Sequence, residues 1–220
     1  MIPAVTIEHI HVSGIKDALR GMRNPLESWE KSDTTETLDE ATSMTITTIG
    51  PNDLGLAMEL AKSGGPHAKY RRQIHVSYDL IAPWLFWKEY ETYQVGTVEN
   101  STSQMFKMGS RLLTQNDFAF DDWDDDAQNY LNFINRLIRE WWDSGKKKRT
   151  PEWRKLLQHI SGAYKYRRTC TANYEVLANM YRWRQKHKLQ EWRDFLSIME
   201  NACPYSQLWT LKETPDPDPS

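Results

Sequence analysis

The chain has 220 residues, 39% of them hydrophobic and ten of them tryptophan, so it is long enough to bury one sizeable core and too short for two comfortable domains. Its formal net charge of −2 excludes a general nucleic-acid or membrane role that depends on bulk electrostatics. Only two cysteines are present, no apolar run reaches the roughly 18 residues of a membrane span, and the N-terminus lacks a signal-peptide pattern, which together predict a soluble cytoplasmic protein without disulfides.

In the first half of the chain, predicted strands alternate with predicted helices. Strands are predicted where β-branched residues or alternating hydropathy occur, over 4–12, 44–49 and 72–80. Helices are predicted over 15–22, from Asn52 or Asp53 to 63, and from Pro83 through the tryptophan-rich stretch after it. The polar segments 30–42 and 94–104 are predicted to be loops.

The second half is predicted to be mainly helical, with helices over about 126–141, 151–159, 173–186 and 188–201. Thr150 and Asn173 are predicted to cap two of these helices. The acidic, proline-rich tail 206–220 is predicted to be disordered. A few strands followed by many helices indicate an α+β fold with a small mixed sheet, in a single domain over 1–205.

Three clusters suggest a metal or phosphate site, but an ordinary structural role is favoured for each. The aspartates between 121 and 126 lack the spaced ligands of a calcium loop and complement the N-terminal dipole of the next helix. The basic run 146–149 lies past the other end of that helix, where cations are equally favourable. His9 and His11 lie on one side of a predicted strand, without a third metal ligand evident in the sequence.

Two polar stretches concentrate side chains that suit a polar ligand. The first combines 67–73 with 88–104, and the second runs from Thr171 to Gln190. In the second stretch, Arg184 offers a planar, permanently charged fork for a carbonyl or a phosphate. No glycine-rich phosphate loop of the dinucleotide or P-loop type is present, so a flavin or nucleotide site would need another design.

The segment 169–195 resembles the C-terminal signature of the flavin-dependent thymidylate synthases. In that family a Thr-x-Asn start leads into a helix with a second Asn and then an Arg, followed by an Ala-Gln-x-Glu-like segment. The matching residues here are Thr171, Asn173, Leu177, Asn179, Arg184 and Gln190. In the first half of the chain, His67 matches a turn histidine of the family, and Gln73 takes the place of a histidine that lies near the flavin.

The defining motif of the family, Arg-His-Arg followed by a Ser and then Asn-Glu-x-Ser-x-Arg, is rewritten in this chain. The corresponding region 91–104 reads ETYQVGTVENSTSQ, so all three arginines and the histidine are absent. A second departure is Glu175, where the family usually has Arg. Because these cations grip the flavin and the substrate phosphate in the family, other charges must replace them, and Arg71, Arg72 and Lys88 are nearby candidates.

The resemblance implies a thymidylate synthase-complementing-protein-like fold and an active site shared between the subunits of a homotetramer. It implies that Arg184 polarises a pyrimidine and that FAD contacts Asn173, Asn179, His67 and Gln73. Contacts with the nucleotide are expected at Tyr93, Asn100, Ser101, Thr102, Ser103 and Gln190. The implied reaction transfers a one-carbon unit from methylenetetrahydrofolate to C5 of dUMP or a related deoxynucleotide, with NADPH as reductant, and hydroxymethylation without a hydride step is a variant of it.

Two other functions stay open. The lost cations favour a non-catalytic homologue that binds nucleotide or serves as an assembly scaffold. The run from Tyr164 to Arg168, Tyr-Lys-Tyr-Arg-Arg, is the one hint of a nucleic-acid-binding module, and a structural use of that run is favoured.

Overall fold

The computed structural model describes residues 2–41 and 44–212. The strands in these ranges are β1 (Thr6–Ser13), β2 (Thr35–Asp39), β3 (Met44–Thr48), β4 (His75–Pro83), β5 (Val98–Ser101) and β6 (Lys165–Asn173). The α-helices are α1 (Ile15–Met22), α2 (Pro51–Ser63), α3 (Trp84–Tyr90), α4 (Gln104–Lys107), α5 (Asp125–Asp143), α6 (Pro151–Gln158), α7 (Tyr174–Arg184), α8 (Gln190–Ala202) and α9 (Gln207–Thr210). Short 3-10 helices cover Asn24–Leu26, Trp29–Lys31, His67–Gln73, Glu91–Tyr93 and Gln115–Asp117.

The strands form two small sheets in the described ranges. In the four-stranded sheet the order is β1-β4-β6-β5, so β6 pairs with strands that precede it by many residues. Strands β2 and β3 form a separate antiparallel pair, in which Thr35 lies opposite Thr48 and Asp39 opposite Met44. With a helical content of 51%, the α+β fold class is confirmed.

The chain divides into two compact units, each built from three separate segments. The first unit comprises the residues up to Glu8, then Asp79–Thr92 and Glu99–Thr169. The second unit comprises His9–Tyr78, Tyr93–Val98 and the residues from Cys170 onward. Because the chain passes repeatedly from one unit to the other, neither unit is a contiguous stretch of sequence. The single domain over 1–205 stays a prediction.

The core of the first unit lies between α5 and α6. The apolar stripe predicted for α5 is buried at Ile134, Leu137, Ile138 and Trp141. It packs with Met108, Leu113, Phe118, Leu131, Trp153 and Leu156. The buried Asn135 amide bridges the backbone of Leu113, accepting from its N–H at 2.7 Å and donating to its carbonyl at 2.9 Å, so the one polar group in this stripe is satisfied.

The core of the second unit combines the start of β4 with α7 and α8. The predicted face of Ile74, Val76 and Tyr78 is buried. The ring of Tyr78 contacts Phe195 of α8 at a centroid distance of 6.0 Å. This aromatic contact fixes α8 against β4.

Several predicted loops are strands in the structure. Strand β2 lies inside the polar segment 30–42, β5 lies inside 94–104, and β6 precedes the helix predicted from 173. These strands are polar and partly exposed, so neither a continuous apolar run nor a clean alternation marks them. Gly50 is the N-cap residue of α2, and the Asp33 carboxylate accepts from the N–H groups of Asn52 at 2.8 Å and Asp53 at 2.9 Å. Neither Asn52 nor Asp53 therefore has the predicted capping role.

Part of the segment 206–220, which is predicted to be disordered, is helical in the structure. Helix α9 covers Gln207–Thr210, and its Leu208 and Trp209 are buried. Two buried apolar side chains stabilise this turn despite its short length. The rest of the predicted tail, 213–220, lies outside the described residues.

None of the helices in the described ranges is long and apolar enough to cross a membrane.

A buried carboxylate holds three segments of the second unit together. Asp53 has no exposed surface and accepts a hydrogen bond from Nε of Arg23 at 2.6 Å, while Arg23 itself is only 5% exposed. Its second oxygen accepts from the hydroxyls of Ser32 at 2.7 Å and Thr34 at 2.6 Å. Burial alone would raise the pKa of Asp53, but these three hydrogen bonds and the charge of Arg23 outweigh it and lower the pKa.

We expect Asp53→Asn to lower the free energy of unfolding at neutral pH by about 3 kcal/mol, because it leaves a buried guanidinium without its carboxylate. The folded-state pKa of Asp53 is depressed, so its stabilisation is present above the unfolded-state pKa of about 3.9 and is lost as the pH falls through the folded-state value. Urea denaturation at several pH values measures both effects.

Glu59→Gln is the matched control, since it removes one negative charge from an exposed position of the same helix. Its loss should stay below about 0.5 kcal/mol. Equal losses for the two variants would show that the buried network does not stabilise the fold.

Candidate functional site

Arg184 lies in an aromatic cluster at the end of α7. Its Nε donates to the Tyr93 hydroxyl at 3.0 Å. Its guanidinium lies 5.6 Å from the centroid of the Tyr93 ring and 5.2 Å from that of Trp192. The two rings contact each other at 5.7 Å. Tyr93 and Arg184, which are both among the predicted site residues, are thus in contact in the second unit, and the side chain of Arg184 is held in one orientation.

The connection between α7 and α8 places Trp192 beside Arg184. His187 lies in this connection, and its Nδ1 accepts a hydrogen bond from the Leu189 backbone at 3.2 Å. The His187 ring also meets the Trp192 ring edge-on at 6.4 Å. Trp192 is fully buried by Phe195 and these neighbours, so it forms a rigid wall of the cluster.

Asn173 has the capping role that its sequence predicts. Its Oδ1 accepts a hydrogen bond from the Val176 backbone at 3.0 Å. Gly96 approaches the same turn with φ of +91°, and a Cβ there would lie 2.8 Å from Cγ2 of Val176 and 3.3 Å from Nδ2 of Asn173. The segment after Tyr93 therefore needs glycine to pass close to the start of α7. The side-chain oxygen of Asn173 is therefore occupied by the helix cap, and its side-chain nitrogen faces Gly96.

The other residues predicted to contact a cofactor are exposed. Asn179 lies on the outer face of α7, and His67 begins the 3-10 helix that Gln73 ends. Gln190 is exposed as well, and its side chain donates to Asp194 at 2.7 Å and accepts from Arg193 at 2.9 Å. Contacts of these residues with a cofactor or substrate stay predictions.

Glu175, at a position where the resembling family usually has arginine, forms a partly buried ion pair. Its Oε2 accepts from Nε of Arg71 at 2.8 Å and lies 2.7 Å from Nη2 of the same guanidinium. Arg71 is 5% exposed and also donates to the Leu208 carbonyl at 3.3 Å. Arg71 was named as a candidate to replace a missing anion-binding cation. Its guanidinium is instead paired with Glu175, so it is not available to an external anion. Arg72 and Lys88 are both exposed.

A second charge reversal occurs in the first unit. Glu91, at the start of the rewritten motif, accepts from Arg168 at 2.8 Å, and Glu99 accepts from the same nitrogen at 2.5 Å. The Arg168 guanidinium also lies 4.3 Å from the centroid of Trp87. Burial alone would lower the pKa of Arg168, but the two carboxylates outweigh it and raise that pKa. The motif region thus supplies carboxylates to an internal arginine.

Part of the rewritten motif lines a cavity of about 320 Å³ in the first unit. Thr102 and Ser103, both predicted to bind the nucleotide, lie on its wall, whereas Asn100 and Ser101 lie on β5 outside it. The Thr102 N–H and hydroxyl both donate to the Arg167 carbonyl at 3.0 Å, which fixes this wall against β6. The other lining residues are Ile81, Gln104, Lys107, Met108, Arg111, Asn116, Asp117, Tyr164, Lys165, Tyr166 and Arg167.

The remaining charged clusters of the sequence have structural contacts. Asp124 caps α5 through a hydrogen bond from the Ala127 backbone at 2.9 Å. Lys146 lies over the Trp142 ring at 4.7 Å. Nowhere in the described ranges do three or more His, Cys, Asp or Glu residues come together as a metal site.

Some residues of these sites were not assigned a functional role from the sequence. Trp192 was predicted only as part of the apolar stripe of α8, since nothing local distinguishes a wall of a site from a core residue. Arg168 and Lys165 were considered only in the basic-aromatic run 164–168. Lys107 lies in a segment without any motif, so its position in the cavity could be found only from the folded structure.

No protein-family model matches the chain, and no curated protein matches it in sequence. Its fold, however, matches solved structures over nearly the whole chain. The flavin-dependent thymidylate synthase ThyX from Helicobacter pylori, complexed with FAD and dUMP, has a TM-score of 0.69 and 14% identity, covering 96% of this chain and 98% of that one. The UMP/dUMP methylase PolB from Streptomyces cacaoi has a TM-score of 0.60 bound with 5-Br UMP and also with 5-Br dUMP.

The two PolB structures share 14% identity with this chain and cover 90% of it, and the chain covers 88% and 89% of them. At this identity the likeness concerns the fold. The chain therefore has the α+β fold of the flavin-dependent thymidylate synthases, as its sequence predicts.

Proposed function

We propose that this chain is an enzyme that binds a pyrimidine deoxynucleotide, dUMP or a related one, and transfers a one-carbon unit to C5 of its base. The observation that carries the proposal is the aromatic cluster around Arg184. The residue matches the arginine that polarises the pyrimidine in the resembling family, and Tyr93 and Trp192 hold it in a fixed orientation. The folds of ThyX and PolB, whose structures contain dUMP, UMP analogues or dUMP analogues, support the same substrate class.

The chemistry needs a cation next to a pyrimidine carbonyl oxygen. C5 attacks a one-carbon electrophile more readily when negative charge can develop on the ring oxygens, and the C5 proton leaves afterwards. An oriented guanidinium stabilises that developing charge without having to reorganise. The aromatic walls exclude water from one side of the guanidinium, which strengthens its interaction with the oxygen.

The residues predicted to contact FAD suit only part of that molecule. The amides of Asn173, Asn179 and Gln73 suit the neutral nitrogen and oxygen atoms of a flavin ring. The pyrophosphate needs cations, and the region 91–104, which corresponds to the motif that supplies cations in the family, contains neither arginine nor lysine, while its Glu91 is bound to Arg168. We therefore assign no step of the reaction to flavin, and leave both a methylated and a hydroxymethylated product open.

Methylenetetrahydrofolate as carbon donor and NADPH as reductant are part of the proposal only through the resemblance. The homotetrameric assembly and the cytoplasmic location likewise belong to the proposal only through the resemblance. Sedimentation of the purified chain, with and without dUMP, tests the assembly.

A non-catalytic homologue is the second candidate. The two charge reversals favour it, because Arg71 and Arg168 are bound to carboxylates of the chain instead of facing an anionic ligand. Such a protein would bind the nucleotide without turning it over.

The product assay separates these candidates. The chain is incubated with dUMP and methylenetetrahydrofolate, with and without FAD and NADPH, and the nucleotide is analysed by mass spectrometry. A methyl or hydroxymethyl group at C5 is the expected result. Binding of dUMP without any product under all four conditions would contradict the enzymatic proposal and support the second candidate.

We expect Arg184→Gln to lower kcat/KM for the nucleotide by about 10²- to 10³-fold, the range observed when one preorganised donor to a developing oxyanion is removed. Circular dichroism and thermal unfolding should stay unchanged, because Arg184 is only half-buried at a helix end.

Arg182→Gln is the matched control on the same helix, since Arg182 is exposed and its guanidinium lies over the neighbouring Trp183 ring, at 5.2 Å from the centroid. Its kcat/KM should stay within about twofold of the unmodified chain. Similar losses for both variants would exclude a specific role for Arg184.

Tyr93→Phe should lower kcat by about five- to tenfold, because it removes one hydrogen bond to a charged group while keeping the ring in place. If Tyr93 acts by orienting Arg184, the loss should appear in kcat more than in KM. A loss confined to KM would instead indicate that the hydroxyl binds the nucleotide directly.

A further inference from the structure

The two ends of helix α5 in the first unit carry opposite charge. Five aspartates lie between 121 and 126 at its start, whereas the segment 136–155 around its end holds eight cationic residues and three carboxylates, a formal charge of +5. A helix of 19 residues is about 28 Å long, which is roughly three times the Debye length at physiological ionic strength. Salt therefore screens the aspartates from the basic end, and the net charge of −2 for the whole chain conceals a strongly basic surface.

The end of α5 is closed by its own backbone. Gly145, with φ of +90°, and Lys146, with φ of +57°, follow the helix in left-handed conformations. Their N–H groups donate to the carbonyls of Trp142 at 3.0 Å and Trp141 at 3.1 Å, which is the pattern of a Schellman motif. These carbonyls are therefore satisfied without the ammonium groups of the basic run 146–149, whose sequence predicts a role at the helix end.

Side-chain hydrogen bonds hold the backbone of the basic run in place. The Lys147 carbonyl accepts from Nε1 of Trp141 at 3.0 Å and from the Thr150 hydroxyl at 3.1 Å. Nε1 of Trp142 donates to the Gly109 carbonyl at 2.7 Å, which ties this end of α5 to the segment after α4. Because the turn is already ordered, its side chains can bind a ligand with a smaller loss of conformational entropy.

Two of the lysines lie on aromatic rings. Nζ of Lys148 is 3.6 Å from the centroid of Phe106 and Nζ of Lys146 is 4.7 Å from that of Trp142. Phe106 is 72% exposed although Lys148 covers one face of its ring, so the other face is open to solvent. The ion pairs of this region join Glu140 to other cations, and none in the part of the chain that the structure describes involves 146–149. Cations and rings thus alternate on one surface, the basic-aromatic patch, which consists of Phe106, Trp142 and 146–149.

The basic-aromatic patch suits a polyanion that also carries flat apolar groups. Single-stranded nucleic acid offers both, because its phosphates alternate with bases whose faces can stack on aromatic side chains. A duplex hides these faces within its own stack. A membrane surface fits the patch poorly, since insertion of Phe106 would carry the Lys148 ammonium towards the apolar layer or strip it from the ring. An acidic peptide would use the cations and leave the open ring face without a stacking partner.

We propose that the basic-aromatic patch binds single-stranded nucleic acid without sequence preference. The phosphates contact the cations of 146–149, and a base stacks on the open face of Phe106. DNA and RNA share this chemistry. The proposal is independent of the nucleotide chemistry proposed for Arg184, because the patch lies within the first unit and Arg184 lies in the second.

The test is fluorescence anisotropy of the full chain with 5′-labelled oligo-dT and oligo-rU of about 20 nucleotides. At least one of them should bind, and the pair shows whether DNA or RNA is preferred. With three or four phosphates neutralised, the slope of log Kd against log salt concentration should be about 2 to 3. A duplex of the same length should bind about fivefold more weakly or worse, the effect of one lost stacked base. Duplex binding as tight as single-strand binding would overturn the proposal, as would failure of both oligonucleotides to bind at low salt.

Variants separate the phosphate contacts from the stacking. Lys147→Gln and Lys148→Gln should each lower the salt slope by about 0.7 and weaken binding about fivefold at 0.1 M salt. Phe106→Ala should weaken binding by roughly five- to a hundredfold and leave the salt slope unchanged, because it removes a ring and no charge. Phe106→Leu should resemble Phe106→Ala, since leucine has no flat face. All three residues are exposed, so thermal unfolding should stay unchanged. Normal binding by Phe106→Leu would contradict the stacking.

Lys88→Gln is the matched control. Lys88 is an exposed lysine of the same unit that lies over the Trp84 ring at 5.8 Å, outside the basic run. Its variant should bind within about twofold of the unmodified chain. Similar losses for Lys88→Gln and Lys147→Gln would show that the patch is not the binding surface. Arg184→Gln should also bind normally, and a loss there would place the oligonucleotide at the candidate nucleotide site and overturn the proposal.

Vesicles and an acidic polymer test the other two partners. Vesicles of phosphatidylserine and phosphatidylcholine are sedimented with the chain, and poly-glutamate competes with the labelled oligonucleotide. Binding to the vesicles that survives in Phe106→Leu, with weaker binding of the oligonucleotide, would assign the patch to a membrane surface. Displacement by poly-glutamate as effective as by unlabelled oligonucleotide would show that charge alone is recognised. Either result would overturn the proposal.

Discussion

The ion pair between the buried Arg71 and the partly exposed Glu175 determines where α7 can lie in the second unit. A guanidinium that is 5% exposed cannot lose its carboxylate without a large penalty, so the first turn of α7 must stay against the 3-10 helix that contains Arg71. The Asn173 cap and the close approach of Gly96 act on the same turn. Arg184 lies about three turns further along this helix, and its position follows from that anchor.

Two reversals of charge distinguish this chain from the family that its fold resembles. Glutamates lie at 175, where the resembling family usually has arginine, and at 91, in the region that corresponds to the rewritten motif. Each is paired with an arginine contributed from another part of the chain. These pairs remove the guanidinium groups from use by an external anion, because a charge already bound by a carboxylate offers little further attraction to a phosphate.

Local signals in the sequence predicted the helices well. The bounds 15–22 of α1 and the caps Thr150 and Asn173 depend on neighbouring residues, and each is confirmed. The strands β2, β5 and β6 were missed, since their stability comes from pairing with distant segments and not from their own hydropathy. For the candidate site, the resemblance predicted Arg184 and Tyr93 together. It did not predict the partner of Glu175, which lies 104 residues away in sequence.

The contact of Arg168 with Glu91, Glu99 and Trp87 also restricts the evolutionary routes open to this chain. An arginine introduced at 91 by a single substitution would face the guanidinium of Arg168, and the repulsion would fall in a partly buried place. A change at 168 alone would leave two neighbouring carboxylates without their cation. The charges at 91 and 168 can therefore be exchanged only together, because either change alone leaves like charges facing each other in a partly buried place.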